Sequence, residues 1–138
     1  ENSVMDNTIV RYAGRLGYSM GGPPSGGSGI YIESGAKNFT LRNSIISDSA
    51  IGMTVSSDGA IIENSTFSNN NPVSDNNISW RGGVGLDVVA NNVTVSNVVF
   101  NNNDKAFQSS SAYMATILLS DLIFNQNTYN FWPEGLLP

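Results

Sequence analysis

The sequence predicts an all-β solenoid of stacked parallel coils, and three recurring patterns predict it. A short strand of the form Gly, apolar, variable, apolar stands at Gly29-Ile30-Tyr31-Ile32, Gly52-Met53-Thr54-Val55 and Gly85-Leu86-Asp87-Val88. A second strand, with period-two alternation and a closing Asn, stands at Phe39–Asn43, Ala60–Asn64 and Val93–Asn97. Three residues beyond each of these Asn residues comes Ile46, Phe67 or Phe100, which marks a third strand.

Spacing binds the three strands into one unit. Gly to Asn is 12 residues in the second and third copies and 14 in the first, whose turn, Glu33–Asn38, is longer by two. Asn43 and Asn64 are 21 residues apart, which sets the basic period. The pairs Asn7 with Val10 and Asp121 with Phe124 keep the offset of three, so partial coils are expected at both ends. The prediction is therefore about five coils of about 21 residues, with a polar column Asn7, Asn43, Asn64, Asn97, Asp121. A coil of three short strands cannot bury its own apolar face, and stacking makes one continuous core. Phe67, Phe100 and Phe124 should then lie over one another at the strand spacing of ~4.8 Å. The Asn column should form an amide ladder of the kind seen in cross-β stacks, with Asn64 inaccessible within it. A left-handed helix would repeat a hexapeptide, which this chain lacks, and a β-sandwich would not place an Asn at one phase of every repeat.

The repeat is interrupted twice at one phase. Insertions at 15–28 and 71–82 both follow the third strand of a coil, in alternate coils, and should share one edge about two rungs, or ~10 Å, apart. The first carries Tyr18, Met20 and Gly21-Gly22-Pro23-Pro24; the second carries Asp75, Trp80 and Arg81. Insertions on one face of a solenoid often carry binding, although loops at a tolerant corner also simply cover apolar surface. Tyr18, Trp80 and Arg81 are the expected ligand-contacting residues, since aromatic faces stack on sugars and Arg offers a planar donor fork. A further irregular turn, Ser109–Thr116, reads as a flexible loop.

Composition narrows the chemistry. Only 12% of residues are charged and the net charge is −5, so no basic field would concentrate nucleic acid. Cys and His are both absent, which removes disulfides, thiolate chemistry, the commonest zinc ligand and the commonest general base. No apolar run approaches the ~20 residues needed to span a bilayer. The row Tyr31, Thr54, Asp87, Gln108 and the row Arg42, Glu63, Ser96, Ser120 are expected to face outward. Arg42 beside Glu63 reads as an exposed cross-strand ion pair worth under about 1 kcal/mol. Asp58, before Gly59, reads as a turn residue. No residue pattern indicates a catalytic centre, calcium or another cofactor. Sequons occur at Asn38, Asn64, Asn77 and Asn92, with Asn77 the best-placed acceptor.

The repeated strands and the Asn column resemble the right-handed parallel β-helix family that includes pectate lyases, polygalacturonases and many surface adhesins. The resemblance covers nearly the whole chain and implies one β-helix domain over residues 1–138, cut from a longer solenoid. Ser57-Asp58-Gly59 is only faintly similar to the polygalacturonase Asn-Thr-Asp-Gly segment, and the His-bearing motif of those enzymes is missing. The leading expectation is a non-catalytic segment of a secreted or cell-surface protein, a rigid scaffold displaying loops for adhesion or carbohydrate binding. A fragment of a polysaccharide lyase, hydrolase or epimerase is the enzymatic alternative, and a filament or assembly subunit the structural one. No capping helix is visible at either end, so further coils, a capping partner or self-association should cover the ends.

Overall fold

The computed structural model describes residues 2–13, 27–72, 83–114 and 116–134. Coil 1 comprises β1 (Ser3–Asp6), β2 (Ile9–Arg11) and β3 (Ser28–Ile32); coil 2 comprises β4 (Phe39–Arg42), β5 (Ile45–Ser47) and β6 (Ile51–Val55). Coil 3 comprises β7 (Ile61–Glu63), β8 (Thr66–Ser68) and β9 (Val84–Val88). In coil 4 the first two strands merge into β10 (Thr94–Asn101), followed by β11 (Lys105–Ser110) and the short α1 (Ser111–Met114). Coil 5 repeats that plan with β12 (Leu118–Asn125) and β13 (Tyr129–Glu134). Every pairing is parallel and joins one coil to the next.

Three faces result. Face I stacks β1, β4, β7 and the first halves of β10 and β12; face II stacks β2, β5, β8 and the second halves; face III stacks β3, β6, β9, β11 and β13. Faces I and II meet at Asn7, Asn43, Asn64, Asn97 and Asp121, which all adopt positive φ of 49–52°. Asn and Asp tolerate the left-handed region better than other side-chain-bearing residues, so the column marks the bend of each coil. The Asn97 Nδ2 donates to the Asn64 Oδ1 at 2.6 Å, as the ladder predicts.

That ladder stands on the outside. Asn43, Asn64 and Asn97 are exposed, which corrects the expectation that Asn64 is inaccessible. A left-handed residue at a convex bend directs its side chain to solvent, and the inward position passes to its neighbours. There Ser44 and Ser65 lie buried, their hydroxyls accepting from the backbone N–H of Thr8 and Ser44 respectively, both at 3.1 Å.

A second bend joins faces II and III at Tyr12, Asp48, Asn69, Asn102 and Gln126, again with positive φ. Just after it runs the interior amide ladder of Asn70, Asn103 and Asn127. Asn70 and Asn103 are buried, and their Oδ1 atoms accept the backbone N–H of Ser49 and Asn70. Each Nδ2 reaches back to a carbonyl of the preceding coil: Asn70 to Ile46, Asn103 to Phe67 and Asn127 to Phe100, at 3.0–3.3 Å. Strand ends that would otherwise leave buried polar groups unpaired are thereby satisfied.

The core fills the space between the faces. Phe67 and Phe100 are fully buried, with ring centroids 5.5 Å apart and planes within 16°, and Phe124 continues the stack at 5.4 Å. Val10 and Ile46 complete that column at its other end. The recurring glycine has a steric cause: a Cβ at Gly52 would stand 2.5 Å from the Gly85 carbonyl oxygen and 3.0 Å from the Asn70 amide nitrogen. Ala106 holds the same place in coil 4.

Four further expectations change. Arg42 turns to Asp6 rather than Glu63, its Nη2 lying 2.9 Å from the carboxylate. Asp6 sits opposite Arg42 in the added strand β1, so coil 1 is fuller than the expected partial turn. The last strand, in a coil expected to be partial, runs six residues. Within Ser109–Thr116, the expected loop, α1 forms directly after β11, and the Thr116 N–H closes it on the Tyr113 carbonyl at 2.9 Å.

Candidate functional site

Outward-facing polar groups fall into two kinds. On faces I and II, Asp6 and Asp48 are engaged in contacts that reach the neighbouring rung. Asp6 accepts from the amides of Asn43 and Asn7 and from Arg42, all at 2.9 Å. The Asn43 hydrogen bond, with Arg42 beside it, holds the Asp6 carboxyl below the usual carboxylate range. Asp48 accepts from the Ser47 hydroxyl at 2.7 Å and from Arg11 at 3.0 Å, and these lower its pKa in that order. Asp58 accepts the Asn91 N–H at 2.7 Å across the turn that Gly59 completes with φ of 74°. Each of these acids stabilises the stack.

Face III is different. Its outward row runs Tyr31, Thr54, Asp87, Gln108, Trp132, in register across all five coils. Beside it lie Ser28 and Lys105. The Ser28 and Thr54 hydroxyls share a hydrogen bond of 2.6 Å, and the Lys105 ammonium sits 5.1 Å from the Trp132 ring centroid. Tyr129 meets Trp132 edge-on at 4.7 Å, extending the aromatic surface. Lys105 is only 8% exposed, and Thr54 and Gln108 are equally buried, whereas Tyr31 and Tyr129 are open to solvent. The row therefore offers accessible aromatic groups at its two ends and hydrogen-bonding groups under cover between them.

The described residues that flank the two insertions lie beside this face. Ala13 and Asn70 occupy the same position after the second bend, in coils 1 and 3, and the chain re-enters face III at Ser28 and at Gly83-Val84. Ser28, expected to close the first insertion, already opens β3. The expected ligand-contacting residues Tyr18, Trp80 and Arg81, and the sequon at Asn77, lie outside the described residues. The other three sequon residues, Asn38, Asn64 and Asn92, are exposed at bends with φ of 54°, 49° and 56°.

Lys105, Tyr129 and Trp132 were not picked out from the sequence. A signal was there: coil 5 follows coil 4 by 24 residues, as Asn103 and Asn127 show, and that offset carries Gln108 to Trp132. Among the described residues no three His, Cys, Asp or Glu side chains gather as a metal site, and no helix is long and apolar enough to cross a membrane.

Parallel strands, in-register polar columns and a continuous apolar stack agree with a comparison against known families, in which the right handed beta helix region matches residues 1–134. The chain belongs to the right-handed β-helix family. No curated protein and no solved structure matches it. A right-handed β-helix is a scaffold for many functions, so what this one does has to be argued from its surfaces.

Proposed function

We propose that this β-helix is a rigid, non-catalytic segment of a secreted or cell-surface protein, which presents its two insertions and the adjoining face III for glycan contact or adhesion. The observation that carries this reading is the position of that face. The corner from which both insertions leave the coils borders an outward row bearing Tyr31, Thr54, Gln108 and Trp132. Aromatic rings supply stacking area for sugar rings, and the neighbouring side chains supply hydrogen bonds. A scaffold role is further supported by the fate of Asp6, Asp48 and Asp58, which are engaged in contacts within and between coils rather than converging on a common point.

The test is binding of the 138-residue chain to a panel of neutral and acidic polysaccharides, with Trp80→Ala, Arg81→Ala and Trp132→Ala measured beside it. Loss of binding in these variants, with unchanged thermal melting, is the expected result. Binding that survives all three substitutions would remove this edge from consideration, and turnover of any polysaccharide would overturn the non-catalytic reading.

A further inference from the structure

We propose that Asn38 and Asn92 are acceptors for N-linked glycans, which line the edge where face III turns into face I. The two sequons, Asn38-Phe39-Thr40 and Asn92-Val93-Thr94, occupy one phase of the repeat, since Thr40 and Thr94 both pair with Ile61 of the coil between them. Two residues before Thr40, Ile61 and Thr94 the chain makes its third bend, at Asn38, Gly59 and Asn92, with φ of 54°, 74° and 56°. Both asparagines are exposed, and among the described residues no hydrogen bond engages either side-chain amide. The rung between them is bare, because a Cβ at Gly59 would meet nothing within 4 Å. The two acceptors therefore stand about two strand spacings, ~10 Å, apart with open surface between them. On the coil 5 side of Asn92, the Thr116 hydroxyl is occupied by the Asn92 backbone N–H at 3.2 Å and the Tyr113 carbonyl at 3.0 Å. It does not compete for the Asn92 amide.

The sequon at Asn64 is placed differently. Asn64 stands in its column between Asn43 and Asn97, one strand spacing, ~4.8 Å, from each. Its Oδ1 already accepts from the Asn97 amide at 2.6 Å. A sugar there would meet a side chain on the rung above and another on the rung below. The transfer itself precedes packing, because Phe39 and Val93, the middle residues of the other two sequons, are buried in the folded chain. In that step the Asn Nδ2 bonds to the anomeric carbon of an oligosaccharide carried on a lipid diphosphate. The anomeric C–O bond breaks, the lipid diphosphate leaves, and the transferase takes up the amide proton. Packing of the coils then separates the sites: Asn38 and Asn92 bear a sugar beside a bare rung, and Asn64 bears one only by disturbing the amide ladder. The proposal rests on the reading of the protein as secreted or cell-surface, since N-linked transfer acts on chains that cross a membrane. Face III runs from the corner where the insertions leave the coils to this edge, so the sugars stand at its opposite end.

The chain is produced behind a supplied secretion leader in a glycosylating eukaryotic host. Secreted protein is deglycosylated enzymatically in heavy-oxygen water, which converts each occupied Asn to a mass-labelled Asp, and its peptides are mapped by mass spectrometry. The expected result is occupancy at Asn38 and Asn92 well above that at Asn64, with the same melting temperature before and after removal of the sugars. Thr40→Val and Thr94→Val keep a β-branched residue in the strand and should each remove one glycan. Empty Asn38 and Asn92 in the secreted chain overturn the proposal, as does Asn64 occupied as fully as they are. Retention of the chain inside the host, relieved by Thr40→Val with Thr94→Val, would show that the fold rejects the sugars and would overturn it too. Because the leader is supplied, each of these failures leaves the secreted or cell-surface reading standing, and fractionation of the source cells tests that reading by itself.

Discussion

The Asn70 amide donates to the Oδ1 of Asn103 at 3.0 Å inside the second bend, and Asn103 in turn reaches the Phe67 carbonyl and the Oδ1 of Asn127, both at 3.0 Å. One buried side chain thereby ties three coils together. Asn103→Ala should orphan the Asn70 N–H and the Phe67 carbonyl, at ~1–3 kcal/mol for each unsatisfied buried group, for a total of about 2–6 kcal/mol. A urea melt checks this. A loss below about 1 kcal/mol would mean that water replaces the side chain in the corner.

The exterior column should behave otherwise. Asn97 is exposed and held at φ of 51°, so its main role is conformational. Asn97→Ala should cost about 1–2 kcal/mol through the left-handed backbone, whereas Asn97→Gly should be close to neutral because glycine has no Cβ to clash. Equal losses in the two variants would give the amide hydrogen bond to Asn64 the larger share.

Removing a ring from the stack tests the core. Phe67→Ala or Phe100→Ala deletes a fully buried side chain from a column that the rigid coils cannot collapse around. Each should lower stability by roughly 3–5 kcal/mol in a denaturant titration.

Acid should weaken the exterior of coils 1 and 2 before it affects the core. Asp6 and Asp48 have folded pKa values below their ordinary 3.8, through Asn43 and Ser47 first and Arg42 and Arg11 next. Because the folded values are depressed, the stabilisation is full above the unfolded pKa and is lost as pH falls through the folded one. Melting temperature should stay level above about pH 5 and decline below about pH 4. Asp6→Asn with Asp48→Asn should flatten that decline, and added salt should shrink it, since both pairs face solvent.

The architecture was legible because stacking forces residues of one kind into one phase. Asn43, Asn64 and Asn97 could be aligned by eye, and the aromatic column followed from them. The side on which that ladder lies was not legible, since Asn serves both as an exterior residue with positive φ and as a buried amide. The discriminating signal is a second amide six residues further on, at Asn70, Asn103 and Asn127. Arg42 was assigned to Glu63 because Asp6 lies 36 residues away, across an insertion that hides the register. Face III was legible as a row of four and not as a cluster, because the rings that complete it belong to coil 5, where the 21-residue period has become 24.

Vertical registration of five coils is the central claim, and a distance between the two ends of one outward column tests it most directly. Nitroxides placed at Ile9→Cys and Ile123→Cys in a single chain, diluted into unlabelled protein so that only pairs within one molecule report, would be read by double electron–electron resonance. Four strand spacings separate the two sites, so the backbone distance should be ~19 Å, with one narrow distribution after allowance for the label arms. A broad distribution, or one centred beyond about twice that distance, would contradict the stacked-coil account.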